Sequence, residues 1–303
     1  MKRTFITGSE WLYYKIYTGT KTADRILTEA IKPVSEKLLE EGIIDSWFFI
    51  RYSDPKLHLR VRFHHTESLQ LEKTIRLMHD SLVPFVESDL IWKLTNDTYN
   101  RELERYGYTY IEQSEILFFH DSVMVVNILD LIEGDEGEII RWLIGLRAID
   151  EMLEVFGYNE EQKLIYLEKL RDGFGAEFGM NKDLKSQLSG KYRTEKKVIE
   201  NVMNRLNDNE SGMAPLFELL QNKRENTLPI ATTLITLEKS NCLEIPKDQL
   251  MNSYLHMMCN RLFKSKQRLH ELVLYDFLCQ YYTSQKARKK QKVNANIITL
   301  TSL

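Results

Sequence analysis

The sharpest pattern in the chain lies at positions 57–63, where apolar and polar side chains alternate without a break: Leu57, Leu59, Val61 and Phe63 against His58, Arg60 and Arg62. Residues two apart share one face of a strand, so one face enters a core while the other carries an imidazole and two guanidiniums. Positions 45–52 are rich in aromatic residues, and Ser53-Asp54-Pro55 between the two runs has turn chemistry. Upstream, positions 10–17 suit a strand, and 23–41 show helical spacing at Ile26, Leu27, Ala30, Ile31, Val34, Leu38 and Leu39, closed by Gly42. Positions 65–86 read as a second amphipathic helix and 91–94 as a further strand. The opening is therefore a sheet with helices packed on it.

Beyond position 94 the pattern changes to successive helices at 111–131, 137–156, 160–174 and 249–282. Positions 181–209 are polar and Lys-rich with weak periodicity, and 207–212 read as a loop. The fold class expected is α+β, an N-terminal β-sheet with packed helices followed by a largely helical body. A single domain over 1–285 is expected, with 286–303 a basic, flexible tail that starts at Lys286-Ala-Arg-Lys-Lys-Gln-Lys292.

Composition narrows the class of function. With 41 basic and 44 acidic residues among 303, the net charge of -3 argues neither for nor against nucleic acid. The first ten residues lack the apolar core of a secretory signal, and no stretch approaches the roughly 20 apolar residues of a membrane span. The expectation is a cytoplasmic protein. Cys242, Cys259 and Cys279 are odd in number and far apart, which suits reduced structural thiols better than a disulfide scaffold or a zinc site. There is no His-Glu-x-x-His, no phosphate-cradling loop and no G-x-S-x-G elbow, so neither a metal nor a cofactor is expected.

Three polar constellations remain. Arg60 and Arg62 on one rigid strand make a clamp suited to carboxylate or phosphate. Glu102 and Arg105, if helical, lie three apart and can touch, as an ordinary surface pair would. Asn252, His256 and Asn260 recur every four residues on one helix face, where a lone histidine is more often a hydrogen-bonded core residue than a catalyst.

These blocks carry a family resemblance. Trp11 to Tyr17, Ala23-Asp24, Trp47 to Tyr52, Asp54-Pro55 and His58 to Phe63 resemble, in order, the opening of the C-terminal domain of lantibiotic dehydratases, a family shared with thiopeptide-type bacteriocin biosynthesis proteins. The run Tyr99-x-x-Glu102-x-x-Arg105-Tyr106-Gly107, the pair Asp121-Ser122 and the motif His256-Met-x-x-Asn260-Arg261-Leu262 are similar to its later motifs. The likeness extends from about Trp11 to about Tyr282. It implies a lyase: a stand-alone elimination subunit of a split dehydratase, expelling glutamate from glutamylated Ser or Thr of a ribosomally made precursor peptide to leave dehydroamino acids. A separate glutamyl-tRNA-dependent protein would supply the activated peptide, with no direct nucleic-acid requirement, and a homodimer stays open.

The resemblance also implies roles. His256, Arg62 and Arg60 become the catalytic candidates, Arg105 a binding residue held by Glu102, and Arg51 and His58 weaker binding candidates, since Arg51 can simply pair with an acid and His58 can simply orient an arginine. The segment Gly107-Tyr108-Thr109-Tyr110 departs from the family, which often has a second glycine there, and this bears on substrate preference. The alternatives are a pyridine synthase performing a formal aza-[4+2] cycloaddition on dehydroalanines, and a non-catalytic peptide-binding subunit.

Overall fold

The computed structural model describes residues 1–67, 70–132, 134–204 and 212–301, with 134–136 and 292–301 described as backbone alone. It opens with β1 (Thr4–Phe5), β2 (Trp11–Thr18), α1 (Thr20–Ile26), a π-helical turn over Leu27–Ile31, α2 (Lys32–Glu40), β3 (Ile44–Ser53), β4 (Leu57–His65), α3 (Leu71–Glu87), β5 (Ile91–Asn96) and β6 (Tyr99–Asn100). The widened turn sits just before Pro33, which lacks the N–H that a regular α-helical bond back would need. Gly42 takes a φ of 68°, the left-handed conformation that ends a helix at little cost to glycine.

Four strands form an antiparallel sheet in the order β3-β4-β2-β5, and β1 pairs with β6 separately. This is the β-α-β-β-α-β arrangement with a split βαβ unit. The register puts Arg62 opposite Tyr13 on β2 and Phe48 on β3, Arg60 opposite Lys15 and Ile50, and His58 opposite Tyr17 and Tyr52. The expected alternation is present: Leu59, Val61 and Phe63 are almost fully buried on the other face.

Helices follow as α4 (Leu103–Tyr106), α5 (Ile111–Leu131), α6 (Gly134–Val155), α7 (Glu160–Glu177), α8 (Lys182–Met203), α9 (Ala214–Lys239), α10 (Lys247–Leu262) and α11 (Gln267–Thr301). The α+β class and the largely helical second half are as the sequence suggests. Helix α8 falls where weak periodicity suggested little. Its buried stripe of Leu188, Tyr192, Ile199, Val202 and Met203 is sparse, and Asn181 caps it by accepting the Leu184 N–H at 2.8 Å. The run at 249–282 is broken at 263–266, where Lys266 has a φ of 49° and turns the chain from α10 into α11.

The chain divides into two compact units that alternate in sequence: Met1–Arg141 with Pro215–Gln267, and Trp142–Ala214 with Arg268–Leu303. All three crossings between the units fall inside the stretch expected to be one domain. In the second unit, buried Asp150 receives Arg147 and Lys163, each at 2.6 Å. The basic run expected as a flexible tail is instead the continuation of α11, where Lys286, Arg288 and Lys289 pair with Glu161, Glu200 and Glu160 on α7 and α8.

In the first unit the sheet ends at β3, and an open strand edge presents unpaired backbone groups. Two helices cover it. Ser122 on α5 accepts the Phe49 N–H at 3.2 Å. Asn260 on α10 reads the next site in full: its Oδ1 accepts the Arg51 N–H and its Nδ2 donates to the Arg51 carbonyl, both at 2.8 Å. A side-chain amide thus does what a neighbouring strand would do.

Candidate active site

Arg62 is the chemically exposed centre of a physically buried place. Its side chain is 7% accessible, and the guanidinium carbon lies 4.2 Å from the Tyr13 ring centroid, 4.8 Å from Tyr99 and 5.1 Å from Phe48. Cross-strand pairing accounts for Tyr13 and Phe48, and the short β6 strand delivers Tyr99. Among the described residues no carboxylate pairs with Arg62, and its Nε–H has no hydrogen-bond partner. Desolvation pulls its pKa below the ordinary arginine value, Arg60 adds to that pull, and Tyr13, Tyr99 and Glu102 oppose it. Arginine stays charged through such shifts. The aromatic rings supply part of the missing solvation through their π faces, and a cation with an orphaned donor is left to receive an anion.

Arg60, one step along the same face, is held from two sides. Its guanidinium carbon lies 3.5 Å from the Tyr52 ring centroid, and its Nε–H donates to His58 Nε2 at 3.1 Å. The other nitrogen of His58 sits 2.8 Å from the Lys56 carbonyl, which can only accept, so Nδ1 carries the proton and Nε2 is free to accept from Arg60. Burial lowers the His58 pKa, with Arg60 and Lys15 adding to the effect, and the ring is neutral near pH 7 as this arrangement requires. His58 therefore orients Arg60. Its own nitrogens are spoken for.

The Glu102–Arg105 pair forms at 3.2 Å around the start of α4, and Arg105 Nε donates to Ser253 Oγ on α10 at 3.0 Å. Gly107 then takes a φ of 88°, and a Cβ there would lie 2.5 Å from the Tyr110 ring, so no other residue fits. The departure at positions 107–110 is anchored to the chain before α10: Tyr108 and Thr109 N–H groups donate to Glu244, and the Ile245 N–H donates to Tyr110 Oη.

His256 is half-buried on α10, on the helix face that also carries Ser253 and Asn260. Ser253, three residues before it, meets Arg105, and Asn260, one turn after it, meets the β3 backbone. Gln267 at the start of α11 donates from Nε2 to His256 Nδ1 at 3.0 Å and to the His256 carbonyl at 2.7 Å. Two sets result: Arg60 with Arg62 on the sheet, and Arg105 with His256 on α4 and α10. A ladder of ring contacts joins them, from Phe48 to Phe118 at 5.5 Å, Phe118 to Tyr106 at 5.0 Å, and Tyr106 to Tyr254 at 5.9 Å. Arg105 packs over Tyr106 at 5.4 Å.

Arg51 requires a correction. Strand parity turns it to the opposite face from Arg60 and Arg62. There it is 6% accessible, gives Nη2 to Asp24 at 2.6 Å and gives Nε to the Arg261 carbonyl at 3.0 Å. Asp24 also takes Arg141 at 2.8 Å. Desolvation is the largest single influence on Asp24 and raises its pKa, but Arg51 and Arg141 together outweigh it and hold the pKa below the ordinary aspartate value. Arg51 belongs to this framework, not to a substrate clamp. Sequence reasoning also passed over Tyr13, Tyr99 and Phe48 as walls of the site, and Gln267 as a partner of His256. The strand register would have signalled the first and third.

Comparison with known proteins matches the sequence to a family. The sequence profile of the lantibiotic biosynthesis dehydratase C-terminal domain matches residues 11–282. The subtilin biosynthesis protein SpaB of Bacillus subtilis is 24% identical over 291 residues, covering 95% of this chain and 26% of SpaB. This chain thus spans about a quarter of the length of such relatives. Among solved structures, the tRNA-dependent lantibiotic dehydratase MibB of Microbispora sp. 107891 superposes with a TM-score of 0.71 at 22% identity, over 93% of this chain and 29% of MibB. The pyridine synthase TbtD from thiomuracin biosynthesis gives 0.60 at 13% identity, over 91% of this chain and 98% of TbtD. These two likenesses show the fold, and the profile shows the kinship: this chain belongs to the lantibiotic biosynthesis dehydratase C-terminal family.

Proposed function

We propose that this chain catalyses glutamate elimination from glutamylated Ser or Thr residues of a precursor peptide, leaving dehydroalanine or dehydrobutyrine. The observation that carries the reading is Arg62, a buried and unpaired cation in an aromatic enclosure. In the reaction a proton leaves Cα, its electron pair forms the Cα=Cβ bond, and the Cβ–O bond breaks with its electrons on the departing glutamate carboxylate. Negative charge develops first on the adjacent carbonyl and then on that carboxylate, and preorganised donors in a dry site stabilise it far better than water does.

Arg62 receives the anionic group, with Arg60 beside it on the strand. Arg105, steadied by Glu102 and Ser253, binds the glutamyl portion, and His256 is the group for proton transfer, as the base that takes the Cα proton or as the acid toward the departing glutamate. Partners follow from the chemistry: the precursor peptide, and a glutamyl-tRNA-dependent protein or domain that makes the ester. Such a source of glutamate places the reaction in the cytoplasm. Among the described residues no helix is long and apolar enough to cross a membrane.

The likeness to TbtD supports a second reading, in which two dehydroalanines are joined into a pyridine. One experiment separates them. Purified protein is incubated with a glutamylated Ser/Thr peptide and, in parallel, with a peptide already carrying dehydroalanines, and both are followed by mass spectrometry. Loss of one glutamic acid per modified residue in the first, with no change in the second, is the expected outcome. An unchanged glutamylated peptide together with ring formation in the second would replace elimination by cycloaddition.

A further inference from the structure

We infer that Lys15, Asp97 and Arg60 form the subsite that recognises the glutamyl group as a zwitterion, Lys15 and Arg60 taking its side-chain carboxylate and Asp97 its ammonium. The inference deepens the elimination reading, rests on it for the identity of the group, and makes Lys15 and Asp97 determinants of specificity.

The sheet register builds the patch. On β2, Tyr13 stands opposite Arg62 and Lys15 opposite Arg60, while on its other side Lys15 stands opposite Thr95 of β5. Two residues past Thr95, Asp97 joins the same face: its N–H donates to the Tyr13 carbonyl at 3.1 Å, and its carboxylate pairs with Lys15. Tyr13 feels all four charges. Burial raises its pKa, Arg62, Arg60 and Lys15 pull it back, and Asp97 adds to the rise. The Asp97 pKa is lowered, first by the hydrogen bond from Lys15 and also by the charge of Arg60, so its carboxylate is ionised at neutral pH.

Like charges set directly opposite on neighbouring strands weaken a sheet, and Lys15 against Arg60 is such a pair. Asp97 offsets one of the two. Among the described residues Arg60 has no carboxylate partner, since its Nε–H goes to His58 and its guanidinium lies over Tyr52. The Lys15 and Asp97 side chains are 21% and 40% accessible, so a ligand reaches both from solvent. A local rule broken without a gain to the fold is the mark of a functional site.

The chemistry of the substrate selects the occupant. Glutamate delivered from a tRNA is esterified through its α-carboxyl, so the glutamyl group keeps an α-ammonium and a side-chain carboxylate. Elimination touches neither charge, yet together they set this group apart from a simple acyl group. A ligand that is only anionic would meet Asp97 unfavourably, and one that is only cationic would meet Lys15, Arg60 and Arg62. A zwitterion satisfies both, through hydrogen bonds between ionised partners, which are the strong ones. Holding the two ends presents the ester carboxyl, the part that leaves, to Arg62 beside them.

The test is a comparison of affinities that needs no turnover. Three Ala-X-Ala peptides capped at both ends are titrated into the full chain by calorimetry. In them X is diaminopropionate acylated on its side-chain nitrogen by the α-carboxyl of glutamate, by that of glutamine, or by glutarate, which lacks the ammonium. The wild type is expected to bind the glutamyl peptide about tenfold more tightly than either of the others, the usual worth of one hydrogen bond to a charged group. In Lys15→Gln the preference over the glutaminyl peptide is expected to shrink while that over the glutaryl peptide persists, and in Asp97→Asn the reverse. Loss of structure alone would not produce that crossed pattern. Equal wild-type affinities, no binding of any of the three peptides, or variants that keep or lose both preferences together overturn the subsite. The wild-type comparison decides even where a variant fails to fold. Elimination is read separately, by mass spectrometry of a glutamyl-Ser ester peptide. Preference in binding without elimination keeps the subsite and removes the reaction, and elimination with equal affinities does the opposite.

Discussion

Replacing Arg62 by methionine is expected to lower glutamate elimination by about 10²- to 10³-fold, the usual loss when one preorganised charge-stabilising donor is removed, while the fold keeps its stability to within about 1 kcal/mol or gains some. The two halves of this expectation have one cause. Arg62 is buried among Tyr13, Phe48 and Tyr99 without a carboxylate, and its desolvation is offset only in part by those rings. A methionine of similar reach fills the same space without that penalty. A buried ion of purely structural value would behave in the opposite way, because its removal would strand a partner. Arg62→Lys is expected to fall short as well, since a compact ammonium cannot present the planar fork of two parallel donors. Urea denaturation and peptide mass spectrometry on the same preparations check both halves.

Asp121→Ala is expected to have the largest effect on stability, about 3–5 kcal/mol, the range for breaking a buried ion pair from one side. Asp121 and Arg261 are both fully buried and their charged atoms approach to 3.7 Å, while Lys223, 8% accessible, reaches Asp121 at 2.6 Å. Burial already pulls the Arg261 pKa down to about 10, with Asp121 the largest opposing influence. Without Asp121 two cations remain in the interior with no carboxylate paired to them among the described residues. The effect reaches the site because Arg261 also donates to Ser122 Oγ at 3.2 Å, the same hydroxyl that caps the β3 edge at Phe49. The midpoint of equilibrium unfolding measures it. A double change of Asp121 and Lys223 to apolar residues is expected to recover part of the loss.

Asp121 and Arg261 belong to the stretches that carried the family resemblance, and their role illustrates what a sequence can disclose. The pair Asp121-Ser122 and the Asn260-Arg261 segment could be singled out as motifs, but whether they act on substrate or on the fold depends on contacts more than 130 residues apart. In the structure Ser122 and Asn260 cover the sheet edge, and Asp121 and Arg261 pair beside them. The hairpin of β3 and β4 was legible because a strict period of two over seven residues suits a strand and fits no helix, and that period put Arg60 and Arg62 on one face. Helix α5 was legible to its ends, since apolar residues recur at helical spacing from Ile111 to Leu131. Helix α8 was obscured by its lysines, which are solvated and dilute the apolar stripe.

The enclosure around Arg62 was hidden for a different reason. Tyr13, Phe48 and Tyr99 come from three strands, and only the pairing register brings them to one guanidinium. Arg51 shows the same limit in reverse, for its parity on β3 has meaning only once β3 is placed against β4. Gln267 was concealed by reading 249–282 as one helical run, which buried the turn at Lys266 in a pattern that is otherwise helical on both sides.

The central claim is that the Arg62 enclosure receives the anionic part of a glutamylated residue. A crystal structure with a peptide in which glutamate is joined to diaminopropionate through an amide, a linkage that resists elimination, tests it most directly. The account predicts a carboxylate or carbonyl oxygen of the glutamyl group within hydrogen-bond distance of Arg62, with Arg60, Arg105 and His256 around the same group. A fully occupied peptide whose glutamyl group lies elsewhere on the protein, leaving Arg62 untouched, would contradict it.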